Sequence, residues 1–351
     1  MNSSYTARRT KECGASPHPG SDGLPHNSLY RYGAALPLPE LHPEAACRGR
    51  VVSVLQSAGA TKANLEGSAL HTLRVHMEIS LPEDAKRIDF RHSIHKDAVL
   101  SKEAVYIAFP FSGDKPEFTY DTQNGWVNPE RDELAGGSRE WYAVNHWAAM
   151  NDRSYGRSAA VIPYDAPMVN FGDIVRGNWP AEFHLRSAAV FSCLMSNYWN
   201  TNFPSSQGGD FSFRYSVVSG RSVDPAQLTR LGWELMTPLE MNQAVAGAGP
   251  ALLHSSAASL LHLDNPNVVV TAWKLAEDGD GSIVRMEEIS GKAVVAHMDS
   301  TYLRVDQAWL CNALEDRLSS LPAIDGGVDI ELKPFEVATI RMKTAPRHAG
   351  K

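Results

Sequence analysis

The stretch 197–215, NYWNTNFPSSQGGDFSFRY, places aromatic rings beside side-chain amides around a proline and a Gly-Gly pair. Such a mixture suits a sugar, because flat apolar rings cover C–H groups and fixed amides hydrogen-bond to hydroxyls. The same mixture occurs at the rim of an ordinary strand–turn–strand unit, where rings pack and Asn side chains cap turns. The candidate substrate-binding residues are Asn197, Tyr198, Trp199, Asn202, Gln207 and Arg214.

Three His-x-Asp triplets could supply metal ligands, because residues i and i+2 share one face of a strand. A zinc site needs about three or four ligands, so we interpret the triplets as surface features and predict no metal site in this chain. His92 and His95 are three residues apart, so on a strand they point to opposite faces and cannot share a metal. The triplets are His95/Asp97, His262/Asp264 and His297/Asp299.

Two further groups of residues could supply acid–base chemistry. Burial could raise the pKa of one carboxyl in the acidic cluster Glu130, Asp132 and Glu133. The surrounding VNPERDELAGG, however, is typical of a solvated loop. A sandwich isomerase would need a histidine acid and a glutamate base in one groove, and His146 with Glu182 are candidates that sequence spacing does not pair. We predict no catalytic residue.

Alternating hydrophobicity predicts the strands that would position the candidate residues. In 70–80, Leu73, Val75, Met77 and Ile79 share one face, and similar alternation follows in 87–95 and 104–111. FSFRYSV, at 211–217, puts its aromatic residues on one side and Arg214 on the other. Period two over these lengths predicts half-buried antiparallel strands.

Other segments are less regular. SREWYAVNHWAAM, at 138–150, fits either a helix or a strand, whereas Asp224-Pro225 predicts a helix start that Pro238 would end. DQAWLCNALEDRLSSL, at 306–321, is interpreted as helical. EDGDGS, at 277–282, is a turn cluster without the spacing of a calcium loop.

The pattern as a whole predicts an all-β protein with large packed sheets. We expect a disordered lead-in at 1–30, a large β-sandwich at 31–250, a smaller sandwich at 251–345 and a short tail at 346–351.

Composition limits the classes of function. The chain has 351 residues, 43% hydrophobic and 21% charged, with a net charge of −7 that provides no basic field for nucleic acid. No apolar run approaches the roughly 20 residues of a membrane helix. The N-terminus lacks the apolar region of a secretory signal, and four scattered cysteines suit reduced thiols. We therefore expect a cytoplasmic protein without nucleic-acid or membrane partners.

Several ordered motifs resemble the C-terminal half of glycoside hydrolase family 38, the α-mannosidases. They extend over roughly residues 50–343 and include KRIDF, VYIAFPF, YDAPMVNFGDI, the stretch 197–215, NVVVTAWKLAEDGDGSIVRMEEISGKAVVAHM and KPFEVATIRM. The resemblance implies a large galactose-mutarotase-like sandwich followed by a smaller terminal sandwich, in agreement with the strand pattern.

The resemblance also implies where the chemistry of the family lies. Its zinc ion and nucleophilic aspartate belong to an N-terminal α/β domain, and retaining hydrolysis needs an acid/base carboxyl as well. The sandwich region begins early in this sequence, so we expect neither zinc nor catalysis from this chain alone. Loops of the family's C-terminal region close over the sugar pocket, which implies a supporting role for the stretch 197–215.

Three functions follow from these observations. The first is a truncated or split α-mannosidase-like chain that acts in mannoside metabolism beside a catalytic-domain partner. An autonomous carbohydrate-binding or protein-interaction module is the alternative, and it predicts an exposed aromatic platform. A mutarotase-like isomerase is the third.

Overall fold

The structure is a computed structural model of the chain. It describes residues 4–9, 48–57, 60–69, 73–100, 103–174, 180–183, 185–196, 206–241, 243 and 259–347. Within these residues, no helix combines the length and the apolar character needed to cross a membrane.

The chain divides into two compact units. Unit 1 comprises Met1–Thr122 and Trp126–Asp224, and unit 2 comprises Gln123–Gly125 and Pro225–Lys351. The division at Asp224/Pro225 precedes the boundary predicted at residue 250, because the predicted helix groups with the second unit. The described part of each unit contains two β-sheets, so the prediction of an all-β fold with a large sandwich followed by a smaller one is confirmed.

The strands of the first part of the chain form a nine-stranded and a five-stranded sheet. Their order is β2-β3-β4-β5-β14-β11-β10-β7-β8 in the first and β1-β6-β13-β12-β9 in the second. The strands are β1 (Ser4–Arg9), β2 (Arg48–Ser57), β3 (Ala60–Ala69), β4 (Leu73–Pro82), β5 (Ile88–Lys96), β6 (Glu103–Phe109), β7 (Pro116–Thr122), β8 (Gly125–Val127), β9 (Tyr142–Ala143), β10 (Ala148–Asp152), β11 (Arg157–Pro163), β12 (Met168–Phe171), β13 (Val190–Ser196) and β14 (Gly209–Gly220).

The core of unit 1 lies between these two sheets. The predicted inward faces are buried, with Val75 and Met77 from β4, Phe213 and Tyr215 from β14, and Ile107 from β6. The Ser192 hydroxyl donates to the Ala166 carbonyl at 3.0 Å, so it accepts from the Tyr215 hydroxyl at 2.9 Å. The polar end of this buried ring is therefore satisfied, as burial requires.

The segment 138–150, which fits a helix or a strand in the sequence, contains the two strands β9 and β10. Two of its aromatic residues, Tyr142 and Trp147, are buried. Another difference from the sequence prediction is β1, which lies within the predicted disordered lead-in. Its backbone pairs with the edge of β6, with Tyr5 opposite Ile107.

Unit 2 contains one described α-helix and two smaller sheets, ordered β15-β18-β22-β21 and β16-β17-β23-β19-β20. Met286, Met298 and Ile340 lie in the core between these sheets. The elements are α1 (Pro225–Met236), β15 (His262–Leu263), β16 (Val268–Leu275), β17 (Ser282–Glu288), β18 (Val294–Asp299), β19 (Leu303–Cys311), β20 (Arg317–Leu321), β21 (Ala323–Ile324), β22 (Gly327–Leu332) and β23 (Val337–Pro346).

Helix α1 begins and ends where the sequence predicts. Pro225 is its first residue, as its fixed φ favours, and the helix ends before Pro238. Ala226 packs with Val269 and Ile289, while Trp233 lies against the same cluster.

The prediction of a helix at 306–321 is wrong. Residues 303–321 form the hairpin of β19 and β20, and β19 also pairs with β23 over most of its length. The Asn312 side chain accepts hydrogen bonds from the backbone N–H groups of Leu314 and Asp316 and closes the turn. The Arg317 guanidinium lies 4.0 Å from the centre of the Trp309 ring. These tertiary contacts override a helical propensity that depends only on local sequence.

The predicted turn at 277–282 joins β16 to β17 and carries paired carboxylates. Asp278 bonds to the buried Arg341 at 2.7 Å, and Asp280 bonds to Lys343 at 2.7 Å and to Arg317 at 2.5 Å. The acidic groups that superficially resemble a calcium loop thus form ion pairs with basic side chains of this chain.

Candidate functional site

The candidate sugar-binding stretch is only partly described. Asn197, Tyr198, Trp199 and Asn202 lie outside the described residues, so their assignment stays a prediction. Gln207 and Arg214 are described: Gln207 precedes β14 and Arg214 lies in its middle, both exposed to solvent.

The backbone at Gln207 is fixed by a buried ion pair. The Lys96 ammonium donates to the carbonyls of Gln207 at 3.1 Å and Asp97 at 2.9 Å, and it pairs with the Glu103 carboxylate. Lys96 and Glu103 are 4% and 5% exposed, so neither charge is screened by water as a surface charge would be. This ion pair therefore ties the residues just before β14 to β5 and β6.

Gly208 adjoins this pair and has no room for a side chain. A Cβ at Gly208 would lie 2.6 Å from the backbone nitrogen of Ala98. We predict that Gly208→Ala lowers the free energy of unfolding by about 1–3 kcal/mol, because backbone must shift to admit the methyl group. Urea denaturation measures this change. Gly220→Ala at the other end of β14 is the matched control, since its nearest neighbour would be 3.7 Å away; equal losses in both variants would contradict the steric argument.

Arg214 is held in place by Asp165. Its guanidinium donates to both carboxylate oxygens of Asp165, at 2.9 Å and 2.8 Å, and its backbone N–H donates to the same group at 2.8 Å. The Arg214 guanidinium also lies 5.2 Å from the centre of the Tyr164 ring. These bonds lower the pKa of Asp165 and raise the pKa of Arg214. Asp165 lies within the motif YDAPMVNFGDI, but sequence spacing alone does not identify it as a partner of Arg214.

Arg214 belongs to an exposed surface, which we term the polar face. It consists of the outward side chains of three adjacent strands of the nine-stranded sheet. Strand register places them in three rows across the sheet: Arg74–His95–Asp210, His76–Ser93–Ser212 and Glu78–Arg91–Arg214. Donors and acceptors alternate over this surface, which suits a ligand rich in hydroxyl groups.

The first His-x-Asp triplet lies at the edge of the polar face. His95 Nδ1 is 2.7 Å from Asp210, and its Nε2 is 3.6 Å from Asp97. His92 lies on the opposite face, fully buried, as the strand periodicity predicts. Desolvation lowers the pKa of His92 to about 3, so this ring is neutral in the folded protein.

The other two triplets come together in unit 2, which the sequence analysis does not predict. His262 Nδ1 is 3.3 Å from Asp299, and Asp264 accepts the backbone N–H of His297 at 2.8 Å. His297 Nδ1 lies 2.5 Å from Asp329, which raises the pKa of His297. Each histidine is thus bound to a carboxylate by the pairing of β15, β18 and β22. Within the described ranges, no group of three or more His, Cys, Asp or Glu side chains is arranged to hold a metal ion.

The two acid–base candidates have structural partners. Asp121, buried beside His146, accepts its Nδ1–H at 2.8 Å and the backbone N–H groups of His146 and Trp147, both at 2.7 Å. Glu182, the partner considered for His146, is exposed.

The acidic cluster at 130–133 is partly tied to the sheet. Glu130 and Asp132 are exposed, and Asp132 accepts the backbone N–H of Asn128 at 2.7 Å. Glu133 accepts the hydroxyl of Tyr120, and this carboxylate together with burial raises the Tyr120 pKa. The cluster therefore has a role in holding its own loop.

The sheets define the class of the chain, which is an all-β protein with two β-sandwich units. Residues 267–340 match the family described as Glycosyl hydrolases family 38 C-terminal beta sandwich domain. The resemblance predicted from the sequence is confirmed: the chain is similar to the C-terminal β-sandwich region of that family.

Two solved structures match most of the chain in fold. An α-mannosidase from Enterococcus faecalis V583 has a TM-score of 0.62 at 12% identity and covers 85% of this chain. A protein of glycosyl hydrolase family 38 from Enterococcus faecalis has a TM-score of 0.63 at 11% identity, with the same coverage of 85%. This chain spans only 35% and 36% of the lengths of those two proteins. The search of curated proteins found no match.

Proposed function

We propose that this chain is the β-sandwich part of an α-mannosidase-like glycoside hydrolase, with carbohydrate binding as its own contribution. The observation that carries the proposal is the family match of residues 267–340, within a fold shared with an α-mannosidase over most of the chain. In this proposal, the zinc ion and the reacting carboxylates belong to a catalytic domain, either in the same polypeptide or on a partner chain. Cleavage of glycosides would then require that domain.

The described geometry supports a role in binding rather than in bond cleavage. Several histidines and carboxylates that could do chemistry are bound to one another, as in Asp121–His146 and His297–Asp329. The polar face, by contrast, presents side chains to solvent on a rigid sheet. A cytoplasmic location is part of the proposal, and the free thiols of Cys193 and Cys311 agree with it.

An assay of the purified chain tests the absence of independent catalysis. We expect no turnover of an aryl α-mannoside, with or without added zinc, because the nucleophile and metal ligands of the family belong to another domain. Turnover that survives purification and is lost when a carboxylate of this chain is replaced would overturn the proposal.

Binding of a neutral mannoside tests the contribution of the polar face. We expect Arg214→Gln to weaken binding of methyl α-mannoside about tenfold in isothermal titration calorimetry, because a charged hydrogen bond to a hydroxyl is lost. Arg157→Gln is the matched control, since Arg157 is an exposed arginine on β11 of the same sheet. Equal affinity in the wild type and the Arg214 variant would show that this part of the surface does not bind the mannoside.

An autonomous interaction module remains the second candidate, and one observation favours it. Trp273 and Leu275, on the edge strand β16, are 41% and 77% exposed. An exposed ring beside an aliphatic side chain is typical of a contact surface. Retention of the chain on a mannan column that is abolished by Trp273→Ala, and unaffected by Arg214→Gln, would favour this candidate.

A further inference from the structure

Two short side chains with hydroxyl groups occupy the centre of the polar face. Ser93 and Ser212 lie directly opposite each other on β5 and β14, and both are exposed. Longer side chains surround them: His76 in the same row, Arg74 in the row on one side, and Arg91 with Arg214 in the row on the other. We call these six residues the serine cradle. Among the described residues, neither serine hydroxyl has a protein partner.

Two arginines of the serine cradle repel each other when no ligand is bound. Arg91 and Arg214 are direct cross-strand partners, and like charges in that position destabilise a sheet. Asp165 compensates Arg214 through two hydrogen bonds. Asp165 also interacts electrostatically with Arg91, but within the described part of the chain no ion pair or hydrogen bond engages the guanidinium groups of Arg91 and Arg74, so their N–H donors are available to a ligand.

The acidic residues around the serine cradle are already engaged. Asp210 lies 2.7 Å from His95, and Glu78 lies 3.4 Å from the Lys62 ammonium. Arg214 keeps the N–H groups that do not face Asp165, and the other donors are the guanidinium groups of Arg74 and Arg91, two hydroxyls and the His76 imidazole. Their charge complements an anion with several acceptor oxygens.

We propose that the serine cradle binds the phosphate group of a phosphorylated sugar. Guanidinium groups pair with phosphate oxygens in a bidentate manner, and hydroxyl donors fill the remaining oxygens of the tetrahedral anion. A carboxylate has only two oxygens and would accept hydrogen bonds from fewer of these donors than a phosphate. The assignment to a sugar rests on the proposed carbohydrate-related function, whereas the assignment to phosphate rests on the serine cradle alone.

Calorimetric titration of the full chain with three ligands tests the proposal. The ligands are a hexose 6-phosphate, the same hexose without phosphate, and inorganic phosphate. We expect the hexose phosphate to bind at least tenfold more tightly than either other ligand, and Arg91→Gln to weaken it at least tenfold. Arg157→Gln should leave its affinity unchanged.

A second variant separates loss of binding from loss of fold. Ser212→Val removes a hydroxyl donor without changing charge and suits an exposed strand position, so it should fold and still weaken hexose phosphate binding. Absence of hexose phosphate binding in the wild type would overturn the proposal. So would wild-type affinity for the hexose phosphate in both Arg91→Gln and Ser212→Val. Equal affinity for inorganic phosphate would overturn the assignment to a sugar. Each of these failures would leave the binding of neutral methyl α-mannoside, which tests the proposed function, unaffected.

Discussion

Replacing Glu288 with alanine will strongly destabilise unit 2. The Glu288 carboxylate is fully buried, and it accepts backbone N–H groups from Ser290 at 2.7 Å, Gly291 at 2.9 Å, Lys292 at 3.2 Å and Phe335 at 2.9 Å. The Ser290 hydroxyl donates to it as well. This one group therefore satisfies donors from the loop after β17 and from the loop before β23.

The alanine variant leaves four backbone N–H groups without the fully buried carboxylate that accepts them. At roughly 1–3 kcal/mol for each unpaired group, we expect the free energy of unfolding to fall by about 4 kcal/mol or more. Chemical denaturation followed by circular dichroism measures the loss, and hydrogen exchange should show faster exchange at Gly291 and Phe335.

Glu331→Ala is the matched control for Glu288. Glu331 is an exposed glutamate on β22 of the same unit, and its removal should change stability by less than about 0.5 kcal/mol. Similar losses in the two variants would show that the buried carboxylate has no special role.

Acid will destabilise unit 1 through His92. This ring is buried between Phe90, 6.1 Å away and parallel, and Tyr215, 5.6 Å away and nearly perpendicular. Desolvation lowers its pKa from 6.5 to about 3. Between these two pH values the unfolded chain binds a proton that the folded chain does not, so the free energy of unfolding falls as the pH falls through this range.

The expected effect is about 2 kcal/mol of stability lost between pH 7 and pH 5, at up to 1.4 kcal/mol per pH unit. The stability contributed by a neutral His92 is fully present above pH 6.5 and decreases below it. His92→Leu removes the titrating group, and its stability should be less dependent on pH by that amount. Denaturation curves at pH 7, 6 and 5 measure the difference.

His76→Gln is the control for the pH experiment, because His76 is exposed on β4 of the same sheet. This variant should keep the pH dependence of the wild type. If His92→Leu also keeps it, then His92 is not the group responsible for acid sensitivity.

Local sequence determined the strands and the helix most directly. The alternation at 73–80 and 211–217 predicts which side chains enter the core, because period two follows from backbone geometry alone. The Asp224-Pro225 start and the Pro238 end of α1 are local signals of the same kind. The family resemblance also comes from sequence, since its motifs follow one another in order along the chain.

Local sequence was insufficient where a distant strand competes with local propensity. The segment 306–321 contains Ala, Leu and Glu residues that favour a helix, yet it forms a hairpin because β19 pairs with β23. The segment 138–150 is strand for a similar reason, since β10 lies between β7 and β11.

The partners of the candidate site were decided by tertiary structure alone. Arg214 is bound by Asp165, which lies 49 residues away in sequence, and the Glu288 carboxylate reaches Phe335 across 47 residues. The sequence by itself identified Arg214 and the strand that carries it, but not the rows of the polar face. Those rows depend on the register of strands that are distant in sequence, and register is set by the packing of the whole sheet against its core.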